Sequence, residues 1–176
     1  MKVLLSEEQL RARIEQLADE IRTRYEGKPL TIVGVLIGSV VLLSDLIRRL
    51  NLPLRVDMVQ ARSYQGTRPG PLVINTDMLR DIRDRHVLLV DDIFDTGNTL
   101  WELIPQLDDL GAASIKTCVL LRKQGQAQVP LQPDFVGFDI PNVFVVGFGL
   151  DYRDAYRNLP YVAALEPDDM REESHA

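Results

Sequence analysis

Apolar positions along the chain fall into two alternating patterns. Leu10, Ile14, Leu17 and Ile21 recur at helical spacing behind Ser6-Glu7-Glu8-Gln9, a capping box, so residues 7–24 are predicted to form an amphipathic helix. "LTIVGVLI" then runs unbroken at strand length, Gly38-Ser39 punctuates it, and "VVLLSDLIRRL" is a second helix stopped by Asn51-Leu52-Pro53. "LRVDMVQ", a short "LVINT", "HVLLV", "SIKTCVLL", "DFVGFDI" and "VFVVGFGL" read as strands, with a helix from about Thr99 to Leu110. Residues 61–71, "ARSYQGTRPGP", carry Gly66, Pro69, Gly70 and Pro71 and read as a flexible loop. Buried strands alternating with helices predict an α/β domain, a mostly parallel central sheet flanked by helices on both faces.

At 176 residues the chain suits one domain, 1–176, with a sizeable core. A net charge of −6 argues against a broad basic face for nucleic acid, although a local basic site can still take a small anion. The one cysteine, Cys118, lies in the apolar run "TCVLL", has no partner for an intrachain disulfide and reads as a small buried hydrophobe in a reducing compartment. No run approaches the roughly 20 apolar residues of a membrane span, and the expected location is the cytoplasm.

The chemistry concentrates in "VLLVDDIFDTGNTL", Val87 to Leu100. A buried-type strand delivers Asp91 and Asp92, then Asp95, then Thr96-Gly97-Asn98-Thr99 at the start of a helix. In a parallel sheet, ligands bind beyond the C-terminal strand ends. Gly97 permits close backbone approach, and the free amides of a first helical turn cradle phosphate. Thr96 and Thr99 add hydroxyls, while the carboxylates suit hydroxyl groups or a metal ion. If the strand continues, Asp91 and Asp92 point in opposite directions and do not grip the same atom. Turn and cap chemistry alone explains one such residue, since Asn98 or Thr99 can be an ordinary N-cap. It explains three neighbouring acids poorly, because close carboxylates repel unless cations or donors answer them.

This stretch resembles the phosphoribosyl pyrophosphate (PRPP) motif of type I phosphoribosyltransferases. Together with "LIGSVVLLSDLIRRL", "RSYQGT", "LLRK", "DFVGFDIP" and "FVVGFGLDYRDAYRNLPYV", the chain is similar to the hypoxanthine-guanine phosphoribosyltransferases of purine salvage. The resemblance implies that fold, with a small hood built from the terminal segments. It also implies transfer of 5-phosphoribosyl from PRPP to a 6-oxopurine, giving IMP or GMP and pyrophosphate, with Mg²⁺ as cofactor.

By the same resemblance Asp95 is the catalytic base facing purine N7. Asp91 and Asp92 hold the ribose hydroxyls, directly or through Mg²⁺, and Thr96, Gly97, Asn98 and Thr99 bind the 5′-phosphate. Leu36, Ile37 and Gly38 form a pyrophosphate loop containing a non-proline cis peptide, and Arg157 contacts pyrophosphate. Ser63 and Tyr64 belong to a mobile loop that closes over the site. Lys123 donates to the purine 6-oxo group, Phe144 stacks on the base and the Val145 backbone reads its edge. Asp151, on this purine side, binds a second Mg²⁺. The implied partners are PRPP and a 6-oxopurine, with no nucleic acid or membrane, in a homodimer or homotetramer.

Read without the resemblance, Lys123 is a solvated lysine with Arg122 a one-residue alternative, Phe144 is core, Tyr64 is a loop aromatic, and Asp151 with Arg157 is a surface ion pair. His86 and His175 carry no role. Three departures from the family pattern stand out: Ile37 replaces a basic residue, the glycine of the mobile loop is delayed to Gly66, and Pro105 interrupts the helix after the phosphate loop. Two other classes compete. A nucleotide-sensing, RNA-binding regulator on this fold is disfavoured by Asp95 and by the acidic balance. A phosphoacceptor signalling domain starting near residue 87 is too short and leaves Thr-Gly-Asn-Thr unexplained. No Gly-Lys-Ser/Thr ending marks a nucleoside-triphosphate P-loop.

Overall fold

Helix α1, Glu7–Tyr25, starts where the capping box places it. The Ser6 hydroxyl accepts from the Gln9 amide at 3.2 Å, and the Gln9 side chain accepts from the Ser6 amide at 2.9 Å. Its buried residues, Leu10, Ile14, Leu17, Ala18, Ile21 and Tyr25, form one stripe that lies on the sheet. The computed structural model describes residues 1–65, 69–75 and 79–169, and for 62–65 and 69–74 it describes the backbone course alone.

The remaining elements are β1 (Lys2–Leu5), β2 (Leu30–Leu36), α2 (Val40–Leu50), β3 (Leu54–Gln65), β4 (Pro69–Asn75), β5 (His86–Phe94), α3 (Asn98–Asp109), β6 (Ser114–Lys123), β7 (Phe135–Ile140), β8 (Val145–Val146) and β9 (Val162–Ala164). A six-stranded sheet runs in the order β4-β3-β2-β5-β6-β7 and is parallel except for β4. A smaller antiparallel sheet, β1-β9-β8, joins the first strand to the last ones, the hood that the resemblance implies.

Two hydrophobic layers cover the main sheet. One gathers α1 and α2 over Ile32, Leu88, Val90 and Leu120, and the other packs α3 through Leu100, Leu103 and Leu107 over Val33, Val35, Leu89 and Val119. Strand β5 serves both, since Leu88 and Val90 face one layer while Val87 and Leu89 face the other. Arg13 pins α1 to the edge strand β7 by donating to the carbonyls of Val136 and Gly137 at 2.8 and 2.9 Å. Gly137 is needed there, because a Cβ would sit 2.4 Å from the Leu120 carbonyl oxygen on β6.

Three expectations need correction. Residues 61–71 are not a loop throughout: 61–65 complete β3, which pairs antiparallel with β4 from Pro69 onward. The Gly-Pro-rich composition marks a hairpin, while Gly66 lies outside the described residues, as does His175. Strand β5 does not end at Val90 but carries Asp91 and Asp92 within it and stops at Phe94. "VFVVGFGL" supplies only the two-residue β8 before tight turns take over. Helix α3 matches its expected span to within one residue, beginning at Asn98, and passes through Pro105, whose ring lies on the exposed side. The hydrogen bond lost there frees the carbonyl of Trp101, an exposed residue, so water can satisfy it.

Cys118 is fully buried in β6, and burial pushes its thiol up to about 12. It should therefore resist a disulfide-exchange reagent in the native protein and react at once in denaturant. Stoichiometric reaction under native conditions would contradict this packing.

Candidate active site

The C-terminal ends of β2 and β5, the start of α3 and the turns around 151–157 enclose a cavity of about 320 Å³. Its lining includes Leu36, Gly38, Asp91, Asp92, Asp95, Thr96, Gly97, Thr99, Asp151 and Arg157. Ten of the residues singled out in the sequence thus meet in one place.

Both members of the Asp91-Asp92 pair line this cavity, contrary to the expectation of opposite directions. The reason lies in the strand. The face alternation of residues 87–90 inverts by Ile93, which packs with the α1–α2 layer, and Phe94, which joins the α3 layer. The acids occupy the phase change. Asp91 is buried, and its Oδ1 accepts from the Asp92 amide at 2.9 Å. Burial, then the charge of Asp92, pushes the Asp91 carboxyl well above the usual aspartate range. Burial also raises Asp92, against hydrogen bonds from Asp91 and the Ile93 amide and the attraction of Arg157.

Close packing over the pair depends on glycine. A Cβ on Gly38 would fall 1.8 Å from Asp92 Oδ2, and one on Gly149 would fall 2.2 Å from the Gly38 carbonyl oxygen. The Leu36–Ile37 peptide in this loop is cis. Ile37 itself is 55% exposed and does not line the cavity.

Gly97 is the N-cap of α3, in the left-handed region at φ 85°, and makes no side-chain cap. Neither Asn98 nor Thr99 caps the helix, so the ordinary-cap explanation fails. Asn98 donates its amide to Thr96 Oγ1 at 3.4 Å but does not line the cavity. With no acid in its first turn, α3 points an uncapped N-terminus at the cavity, a favourable setting for an anion.

At the cavity mouth Lys123 Nζ donates to Asp95 Oδ2 at 2.8 Å, with 11% of the lysine side chain exposed. Lys123 is therefore not a solvated lysine. Arg122 is excluded as its substitute, because it pairs with Asp139 through two hydrogen bonds of 2.6 and 3.0 Å. Asp151 and Arg157 do form an ion pair, at 2.8 Å, but they form it on the cavity wall, and Arg157 also donates to the Gly149 carbonyl.

Phe144 is 44% exposed, hence not core, and meets Tyr152 edge-on at 5.6 Å between ring centroids. Phe144, Val145 and Lys123 are outside the cavity lining, and Val145 is a buried member of β8. The backbones of Ser63 and Tyr64 run in β3, and their side chains lie outside the described residues. Sequence reading missed Tyr152 and the strained turns on either side of it: Phe148 before it, and Arg153, Asp154 and Tyr156 after it, all have positive φ. Such residues cluster where surrounding structure enforces an unfavourable backbone. Among the described residues, no three His, Cys, Asp or Glu side chains are grouped to hold a metal on their own. Nor is any described helix long and apolar enough to cross a membrane.

The comparisons agree with this geometry. Residues 2–153 match the phosphoribosyl transferase domain family. A hypoxanthine-guanine phosphoribosyltransferase of Lactococcus lactis is 41% identical over 95% of the chain and 92% of its own length. A Listeria monocytogenes bifunctional protein TilS/HprT is also 41% identical, but the chain spans only 26% of it. The crystal structure of a hypoxanthine phosphoribosyltransferase from Staphylococcus aureus superposes with a TM-score of 0.90, at 38% identity, covering 96% of this chain and 92% of that one. The chain belongs to the phosphoribosyltransferase family, among its hypoxanthine-guanine members.

The raised carboxyls carry a pH signature. A group that titrates higher in the fold than in the unfolded chain favours the fold at acid pH, and that contribution is lost as pH rises through the folded value. Replacing Asp91 with Asn keeps the acceptor for the Asp92 amide and removes one buried charge. Asp91→Asn should raise the Tm of ligand-free protein at pH 7.5 by about 2–4 °C, the shift that 1 kcal/mol gives at this size. The gain should vanish toward pH 4. A lower Tm at pH 7.5 would show that the pair is not under electrostatic strain.

Proposed function

We propose that the protein transfers the 5-phosphoribosyl group of PRPP to hypoxanthine or guanine, releasing pyrophosphate, in a reaction that depends on Mg²⁺. The Lys123–Asp95 pair carries this reading. It sets an ammonium donor and a carboxylate acceptor side by side at the cavity mouth. A 6-oxopurine presents the complementary edge, an oxygen acceptor next to a ring nitrogen that can bear a proton. A 6-aminopurine presents a donor to the lysine and is disfavoured.

The other side chains fit the remaining parts of PRPP. Asp91 and Asp92 accept from the ribose hydroxyls, and the amides of Gly97 and Thr99 with the threonine hydroxyls hold the 5′-phosphate. As the bond to pyrophosphate lengthens, Arg157 answers the charge on the departing group. Asp95 takes or polarises the purine proton while the base attacks C1′ from the opposite side. The hairpin bearing Ser63 and Tyr64 would cover the reactants and exclude water.

Mg²⁺ is commonly held by one or two carboxylates together with substrate oxygens. The donor set fits that pattern: a desolvated carboxylate pair, plus Asp151 across the cavity, with Arg157 the one basic residue among the described lining residues. When bound, the ion supplies charge neutralisation on pyrophosphate and ribose oxygens. Asp95, present here, counts against a regulatory, RNA-binding reading of the same fold.

Assays of PRPP consumption with hypoxanthine, guanine, xanthine, adenine and uracil in parallel should show turnover with the 6-oxopurines, and chelation should abolish it. Turnover with uracil alone, or with no base, would overturn the purine assignment. In the same assay Asp95→Asn should reduce kcat by at least about 100-fold with PRPP binding retained, as expected for removing a positioned base. Near-normal turnover would remove Asp95 from that role.

A further inference from the structure

At the opposite end of the sheet, where β2, β3 and β5 begin, lies a second cavity of about 480 Å³. Lys28, Arg55 and Arg85 supply its charge, and Pro29, Leu52 and Pro53 give it an apolar wall. None of the three cations is neutralised within the described residues. Arg85 donates from Nε to Thr31 Oγ1 and from Nη2 to the Leu30 carbonyl, both at 2.6 Å, so its acceptors are uncharged and its Nη1 edge has none. Lys28 donates to the Arg24 carbonyl at 2.9 Å. Beyond the backbone ladder of β3, the Arg55 side chain makes no hydrogen bond or ion pair among the described residues. Nearby Asp57 is taken by Arg80, at 2.8 Å.

Like charges gathered without a counterion repel one another. Arg85 registers this: burial, then the charge of Arg55, holds its guanidinium below the usual arginine range, with Arg80 adding to the effect and Asp57 opposing it. Arg85 is nonetheless fixed in place by its two bonds, so the cost of ordering it has already been met by the fold. A half-buried arginine in fixed orientation, two further cations and an apolar wall suit a ligand with a dianionic head and an organic body. Inorganic anions would use the charges and leave the wall bare.

We propose that this cavity is a second ligand site, which takes a small phosphate monoester with an apolar or aromatic body, of the size of a nucleoside monophosphate. It is separate from the catalytic cavity, and the two share no lining residue. Binding uses the phosphate on Arg55, Arg85 and Lys28 and sets the organic body against Pro29, Leu52 and Pro53.

The test is a titration of the full-length protein followed by amide chemical shifts, with AMP, adenosine and inorganic phosphate as probes. AMP should shift the amides of Lys28, Leu30, Thr31, Arg55 and Val56. Adenosine should leave them unmoved, and inorganic phosphate should bind more weakly than AMP. Arg55 is exposed and unpartnered, so Arg55→Ala should fold normally and weaken AMP at these amides by about tenfold, as for one lost charge-assisted hydrogen bond. Any AMP that enters the catalytic cavity reports separately at Gly97 and Thr99, which Arg55→Ala should not affect. Shifts confined to Gly97 and Thr99 would overturn the proposal. So would binding indifferent to both Arg55→Ala and Lys28→Ala, or tighter binding of a single-stranded RNA oligonucleotide at the same amides.

Discussion

Two adjacent carboxylates desolvated at the end of a buried strand are the constraint on which this structure turns. The fold must supply the stability that opposes their repulsion, and it does so with a sheet covered on both faces. It must also leave them room, which is why Gly38 stands where any Cβ would strike Asp92. Among the described residues one cation, Arg157, bears on the pair, and that residue is itself shared with Asp151 and Asp154. The site is therefore electrostatically unfinished without its ligands. In the proposed reaction, ribose hydroxyls and a divalent cation would complete it, and the repulsion that weakens the empty protein would become affinity for substrate.

The same logic divides the cavity by charge. The carboxylates occupy the end of β5, and the start of α3, whose N-cap Gly97 makes no side-chain cap, sits beside them. Lys123 and Asp95 hold each other at the mouth, so in the proposed reaction an entering base would exchange one complementary pair of contacts for another. The turns between Gly147 and Arg157 close the far wall. Their left-handed residues and the close approach of Gly149 to Gly38 tie the Leu36–Gly38 segment to the segment that bears Arg157.

Much of the fold was legible because its signals were local. The capping box and the stripe from Leu10 to Ile21 place α1 to within one residue, and the apolar runs mark β2, β5 and β6. What failed depended on pairing. Residues 61–71 look like a loop by composition, and only β3 against β4 makes most of them strand. Asp91 and Asp92 look like loop residues, yet both lie within β5, and the change of face between Val90 and Ile93 that turns both toward one cavity leaves no mark in residue type. Phe144 reads as core by type, but its exposure is set by the short β8 and by Tyr152. The acids of the site could be found from their spacing. Lys123, Asp151 and Arg157 could not, because the first comes from the end of β6 and the other two from the turns after β8.

Proton linkage tests the central claim most directly. Calorimetric titration of Mg²⁺ and PRPP into the protein at mildly acidic pH, in two buffers of different ionisation enthalpy, measures protons exchanged on binding. If burial and mutual repulsion hold protons on the Asp91-Asp92 pair until ligand answers their charge, binding must release protons, and Asp91→Asn must reduce that release. Binding with no net proton exchange, or with proton uptake at the pair, would contradict the account.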